Sequence, residues 1–189
     1  MVGSLNMDVV VRVPHLPAPG ETILGCDCHT IPSGKGANQA VAAARMGGTV
    51  HIVGKVGRDP DGQILRANLS AEGINVQFVG MDPSSASGIA MIHIDKAGCN
   101  SIVVAPGANM CLTPEEVSRA FDRIGTIDVL ILQLESPLEC VIEAAYLGKA
   151  RGARVVLNSA PAMPLPGEIY QRIDVLVLNE TKASQLDWK

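Results

Sequence analysis

The chain has 189 residues, 47% apolar and 18% charged, with a net charge of −4. That length supports one hydrophobic core with a small appendage and excludes two full domains, and the composition is that of a folded globular chain. The acidic balance and an aromatic content of 3% exclude a nucleic-acid partner held by charge or by base stacking.

No apolar run approaches the roughly 20 residues of a bilayer span. The start, Met1-Val2-Gly3-Ser4, shows neither a basic nor an apolar leader, so no membrane and a cytoplasmic location are expected. Five cysteines (Cys26, Cys28, Cys99, Cys111, Cys140) lack framework spacing and read as reduced thiols. Cys26-Asp27-Cys28-His29 has no second ligand pair at zinc-like spacing, and reads as strand residues rather than a metal site.

In chain order, the β-branched run 9–13 predicts a strand ending at Pro14, and Pro17-Ala18-Pro19-Gly20 a turn. Residues 22–31 predict a second extended stretch closed by Pro32. After Ser33-Gly34-Lys35-Gly36, the alanine-rich segment 37–46 predicts a helix stopped by Gly47-Gly48. A buried strand over 50–56 and a helix over 60–72 follow, the helix with Asp59 as N-cap, Pro60 at its first position and Gly73 as its stop. Two short strands, 89–94 and 101–105, flank Asp95-Lys96-Ala97-Gly98 as a hairpin. Thr113 and Glu116 are spaced for a capping box at the next helix start. Strands are then expected over 129–134, 155–158 and 174–178, with a helix over 137–151 and a short one after Pro166. This alternation predicts an α/β fold, a mainly parallel sheet flanked by helices. The strands within about 9–32 and 88–105 read as a small antiparallel sheet projecting from it.

The chemistry concentrates at Ser33-Gly34-Lys35-Gly36-Ala37-Asn38-Gln39-Ala40. Glycines let backbone approach a ligand, and the helix start that follows offers unpaired N–H groups to phosphate or hydroxyl oxygens. The spacing is not that of a Walker A loop, nor that of a dinucleotide fold. Read alone, it is as consistent with a plain turn.

Gly34-Lys35-Gly36-Ala37-Asn38-Gln39-Ala40, followed by Gly47 and Gly57, resembles the first signature of the PfkB (ribokinase-like) carbohydrate kinase family. Further likeness lies in Gly3-Ser4-Leu5-Asn6-Met7-Asp8, Pro19-Gly20-Glu21-Thr22, Pro106-Gly107-Ala108-Asn109, Gln133-Leu134-Glu135-Ser136-Pro137-Leu138-Glu139 and Ala160-Pro161-Ala162. It runs in register over all 189 positions but over only part of a member's usual length. The resemblance implies the N-terminal part of a three-layer ribokinase-like domain whose small sheet serves as a lid and as a homodimer surface. It implies phosphoryl transfer from ATP to the 5-hydroxyl of a sugar, D-ribose above others, with Mg2+ as a further cofactor, and leaves open whether a monovalent cation acts in the full-length relative.

By the same resemblance Asn6, Asp8, Gly34, Lys35, Asn38 and Glu135 hold the sugar, and Asn179 approaches the nucleotide phosphates. An amide and carboxylates suit vicinal hydroxyls, which both donate and accept. On the residues alone, Asp8 also reads as a loop cap, Lys35 as a solvated charge and Glu135 as a helix cap. Another sugar or nucleoside kinase of the family, or a non-catalytic sugar-binding or dimerising module, are the alternatives.

Three departures from the family pattern stand out. The second signature, a Gly-Ala-Gly-Asp run carrying the catalytic base, does not occur in these residues, so no catalytic residue is assigned and no turnover is expected of the chain alone. Asn179-Glu180-Thr181-Lys182 places a cation where the family carries a magnesium-ordering glutamate. Only Met1-Val2 precede Gly3-Ser4, where members carry a full central strand, so both ends read as clipped; Ser33 stands in place of a smaller residue.

Overall fold

The computed structural model describes residues 1–178. Asn179 and the Asn179-to-Lys182 run lie outside the described residues. The strands are β1 Asn6–Arg12, β2 Cys28–Ser33, β3 His51–Gly57, β4 Asn75–Asp82, β5 Gly88–Ile94, β6 Asn100–Ala105, β7 Val129–Leu132, β8 Arg154–Asn158 and β9 Val175–Val177. The helices are α1 Lys35–Arg45, α2 Pro60–Ala71, α3 Pro114–Arg123, α4 Leu138–Ala150 and the single turn α5 Gly167–Tyr170, with a 3-10 turn at Gly107–Cys111.

One parallel run orders β4-β3 and β7-β8-β9 side by side. Val2 joins the two parts by bridging in parallel to Val53 of β3 and Leu132 of β7. Its N–H donates to Ile131 O, while the Gly3 N–H donates to Val53 O. Strand alternation then separates two cores. On one face Ile52 and Val56 of β3 pack with Ala40 of α1 and with Leu65 and Leu69 of α2. On the other, Val53, Leu130, Leu132, Val155 and Leu157 pack under Val117 and Phe121 of α3 and Val141 and Ala145 of α4. The result is helix, sheet and helix in three layers.

Helix starts follow the local chemistry. Asp59 Oδ1 accepts from Gly62 N–H at 2.7 Å, with Pro60 in the first turn. Thr113 and Glu116 form the reciprocal capping box, and Glu116 also accepts from Lys55 Nζ at 2.9 Å, tying α3 to β3. Gly47 and Gly73, with φ of 91° and 75°, turn the chain out of α1 and α2.

The second sheet has the order β2-β1-β5-β6. It is mixed rather than antiparallel, because β1 and β5 run parallel, Asn6 opposite Gly88 through Arg12 opposite Ile94. Other boundaries differ from expectation. β1 starts at Asn6, three residues early, so Asn6 and Asp8 lie within this strand and share one of its faces. β2 starts at Cys28, not Thr22, and runs through Pro32, which an edge strand tolerates because the missing N–H breaks no second ladder. β4, which no expectation covered, pairs among the described residues only with β3.

No helix among the described residues is long and apolar enough to cross a membrane. The five cysteines are free. Burial pushes the Cys140 thiol up to about 12, and its Sγ donates to Leu112 O, so it acts as a core residue rather than a nucleophile.

Candidate functional site

The chain leaves the central sheet at Gly3, crosses into β1, and returns along β2 to the start of α1. Four side-chain groups meet at that crossing, beside the carboxyl ends of β7 and β8, where parallel α/β sheets gather ligands. A cleft of about 470 Å3 opens there, lined by Asn6, Lys35, Glu135, Asn109, Val104, Met110 and Pro161 among others.

Glu135 follows β7 and is 13% exposed in its side chain. Its Oε2 accepts from the Ser4 hydroxyl at 2.6 Å, and its Oε1 lies 3.2 Å from Lys35 Nζ. Lys35 is the first residue of α1 and is 41% exposed, so the pair faces the cleft mouth rather than a sealed interior. Asn6, 3% exposed, is held through Oδ1 by Asn109 Nδ2 at 2.8 Å.

Asp8 stands two residues beyond Asn6 on the same strand face. Desolvation raises its carboxyl above the ordinary aspartate value; the Ser33 hydroxyl opposes this, the negative charge of Glu135 adds to it and Lys35 opposes it. Asp8, Glu135 and Lys35 therefore share one electrostatic neighbourhood. Gly34 supplies backbone: with φ of 103°, it sits where a Cβ would come 2.7 Å from both Asn6 N and Ser4 O. Asn38 is not among the cleft-lining residues. It is exposed on the α1–α2 side and reaches the site through Ser33, to whose Oγ its Nδ2 donates at 3.1 Å.

The structure thus brings Asn6, Lys35 and Glu135 onto one cleft, while Asp8, Gly34 and Asn38 are not among its lining residues. Asp8 is tied to the cleft by its electrostatic interaction with Glu135 and Lys35, Gly34 by its chain neighbour Lys35 and Asn38 by Ser33. Ser4 and Asn109 carry no role in the sequence reading, although both lie in the runs that show the family likeness. Their partners, Glu135 and Asn6, are 131 and 103 residues away, so the pairing had no local signal. Among the described residues no three His, Cys, Asp or Glu side chains gather as metal ligands. Glu135 is already engaged by Ser4 and Lys35, so no described residue is assigned to magnesium.

A three-layer α/β core carries a second sheet over a cleft at its strand ends, the place where α/β folds commonly hold small molecules, and apolar side chains line it around Asn6, Lys35, Asn109 and Glu135. The model of the pfkB family carbohydrate kinases matches residues 1–186, and the chain belongs to that family. It is 40% identical over 186 residues to a ribokinase of Haemophilus influenzae, covering 98% of this chain and 61% of the relative. A ribokinase from Thermotoga maritima superposes with a TM-score of 0.87 at 36% identity, covering 99% of this chain and 61% of that one. An Arabidopsis thaliana ribokinase complexed with ribose and ATP superposes with a TM-score of 0.83 at 32% identity, covering 98% and 61%. The chain therefore spans about three fifths of the length of these relatives.

Proposed function

We propose that this chain forms the sugar-holding part of a ribokinase, which transfers the γ-phosphoryl group of ATP to the 5-hydroxyl of D-ribose. The observation that carries the reading is the Ser4–Glu135–Lys35 arrangement on the cleft shared with Asn6. Glu135 and Asp8 offer acceptors and Lys35 and Asn6 offer donors, which is the mixture that a polyol requires. Gly34 lets the backbone close on the ligand from the α1 side, and Asn38 supports Asp8 through Ser33. The Arabidopsis relative, solved with ribose and ATP, supports the choice of sugar and of phosphoryl donor.

In this reading the mixed sheet is a lid. Its rows alternate: Asp8, Ala90 and Val104 share the face that carries the cleft residues, while Val9, Met91 and Val103 share the opposite face. The first row covers the sugar and keeps water from competing as acceptor. Met91 and Val103 are exposed, and their row forms the homodimer surface. ATP and Mg2+ are cofactors of the whole enzyme. Asn179 is assigned to the nucleotide phosphates, and the base that takes the hydroxyl proton is assigned to no residue of this chain.

Thermal unfolding of the chain with added ligand tests the choice of substrate. D-Ribose should raise the midpoint while inosine leaves it unchanged. Equal stabilisation by inosine would move the reading to a nucleoside kinase of the same family.

A further inference from the structure

Asn109 sits in the 3-10 turn after β6 and is 2% exposed. Its Oδ1 accepts from the Leu5 N–H at 2.9 Å. Its Nδ2 meets three acceptors, Leu5 O at 3.0 Å, Pro106 O at 2.9 Å and Asn6 Oδ1 at 2.8 Å. A carboxamide has one accepting end and one donating end, so only one orientation satisfies this set. Turning it over would set its oxygen against two backbone carbonyls and its NH2 against a backbone N–H. Leu5 and Pro106 contribute backbone groups, whose donor and acceptor roles cannot exchange. The orientation of Asn109 is therefore dictated by main chain.

That orientation propagates one residue further. Only an oxygen can accept from Asn109 Nδ2, so the Asn6 amide must turn its Oδ1 toward Asn109, which leaves its own NH2 as the opposite end. Among the described residues no protein group accepts from that NH2, and Asn6, though only 3% exposed, lines the cleft. Gly88 leaves the space the pair occupies: a Cβ there would come 2.1 Å from Asn6 Oδ1 and 2.4 Å from Asn109 Nδ2. A side chain at position 88 would therefore displace the pair.

We infer that Asn109 is a positioning residue that fixes Asn6 with its NH2 toward the cleft, so that Asn6 meets a ligand oxygen as a hydrogen-bond donor. The ligand's identity rests on the ribose reading, whereas the amide orientation belongs to the free chain. The cleft then offers its donors from Asn6 and Lys35 and its acceptors from Asp8 and Glu135. Asn109 also lines the cleft, but its amide oxygen and hydrogens are taken up by Leu5, Pro106 and Asn6, so it acts on affinity through Asn6.

The test begins without ligand, by hydrogen exchange of the side-chain amides in the 189-residue chain followed by NMR. The Asn109 NH2 should exchange slowly and the Asn6 NH2 at least about tenfold faster, as a cleft-lining donor without a protein acceptor would. An Asn6 NH2 as protected as that of Asn109 would overturn the inference, whatever the chain binds. The second arm is a double-mutant cycle read by D-ribose titration. Asn6→Ala and Asn109→Asp should each raise Kd about tenfold, and the double variant should be no weaker than Asn6→Ala alone. Losses that multiply would overturn the inference, because Asn109 would then act by a route other than Asn6. A chain that shows the predicted exchange pattern but binds no ribose would contradict the ribose reading and leave the amide orientation supported.

Discussion

The Ser4 hydroxyl donates to Glu135 Oε2 at 2.6 Å, joining the start of the chain to the end of β7. The other Glu135 oxygen faces Lys35 at 3.2 Å, so the carboxylate cannot rotate without breaking one of the two contacts. Ser4 is fully buried, and a hydrogen bond to a charged group contributes roughly 1.5–3 kcal/mol. Ser4→Ala should therefore leave a folded chain whose D-ribose Kd, by isothermal titration, is raised about tenfold. An unchanged Kd would mean that Glu135 needs no orientation from Ser4.

Asp8 gives the site a pH dependence of definite sign. Burial raises its carboxyl above the unfolded value, so between the two values the native chain binds more protons than the unfolded one. Its contribution to stability accordingly falls as pH rises through that window. Sugar affinity should run the other way, because only the ionised form accepts from two hydroxyls. D-Ribose Kd should rise on acidification at a pH above the ordinary aspartate range, while Asp8→Asn should bind weakly with a flat profile. A wild-type Kd that stays constant until the chain unfolds contradicts this.

Asp59 predicts the opposite dependence. Desolvation pushes its carboxyl up, but the Ser87 N–H and hydroxyl and the Gly62 N–H outweigh it and hold it below the usual aspartate value. Those bonds, each 2.7 Å, cap α2 and fasten the residue from which β5 departs. The stabilisation is fully present above the unfolded value and is lost as pH falls through the folded one. Asp59→Ala should cost about 1–2 kcal/mol at neutral pH, read as a lower urea midpoint. At acid pH the two proteins should converge, and a constant gap would show that the carboxylate's charge is not involved.

What the sequence shows and what it hides divide along local and non-local lines. The caps at Asp59 and at Thr113–Glu116 were legible because each motif closes within four residues. Likewise α4 and the β7–β8 pair followed from long apolar runs separated by proline and glycine. β4 was hidden because its alternation changes phase at the adjacent apolar pair Phe78-Val79, beside the register shift in its pairing with β3, and it survives by that pairing and by packing Val79 with Leu65 and Leu69. The parallel β1–β5 pairing joins residues 82 apart, such as Asn6 and Gly88, which no turn motif could reveal. The candidate ligand groups were named from their motif, yet the two side chains that aim them, Ser4 and Asn109, became visible only once the chain was folded. Asn38 shows the converse: it belongs to the motif and lies outside the cleft lining.

Whether Asn6, Asp8, Lys35 and Glu135 form a ribose site is decided by isothermal titration of the folded 189-residue chain with D-ribose. Saturable binding at one site per chain is expected, abolished by Asp8→Ala in a variant that remains folded. A folded wild-type chain that takes up no ribose, or an Asp8→Ala chain that binds it equally well, would contradict such a site.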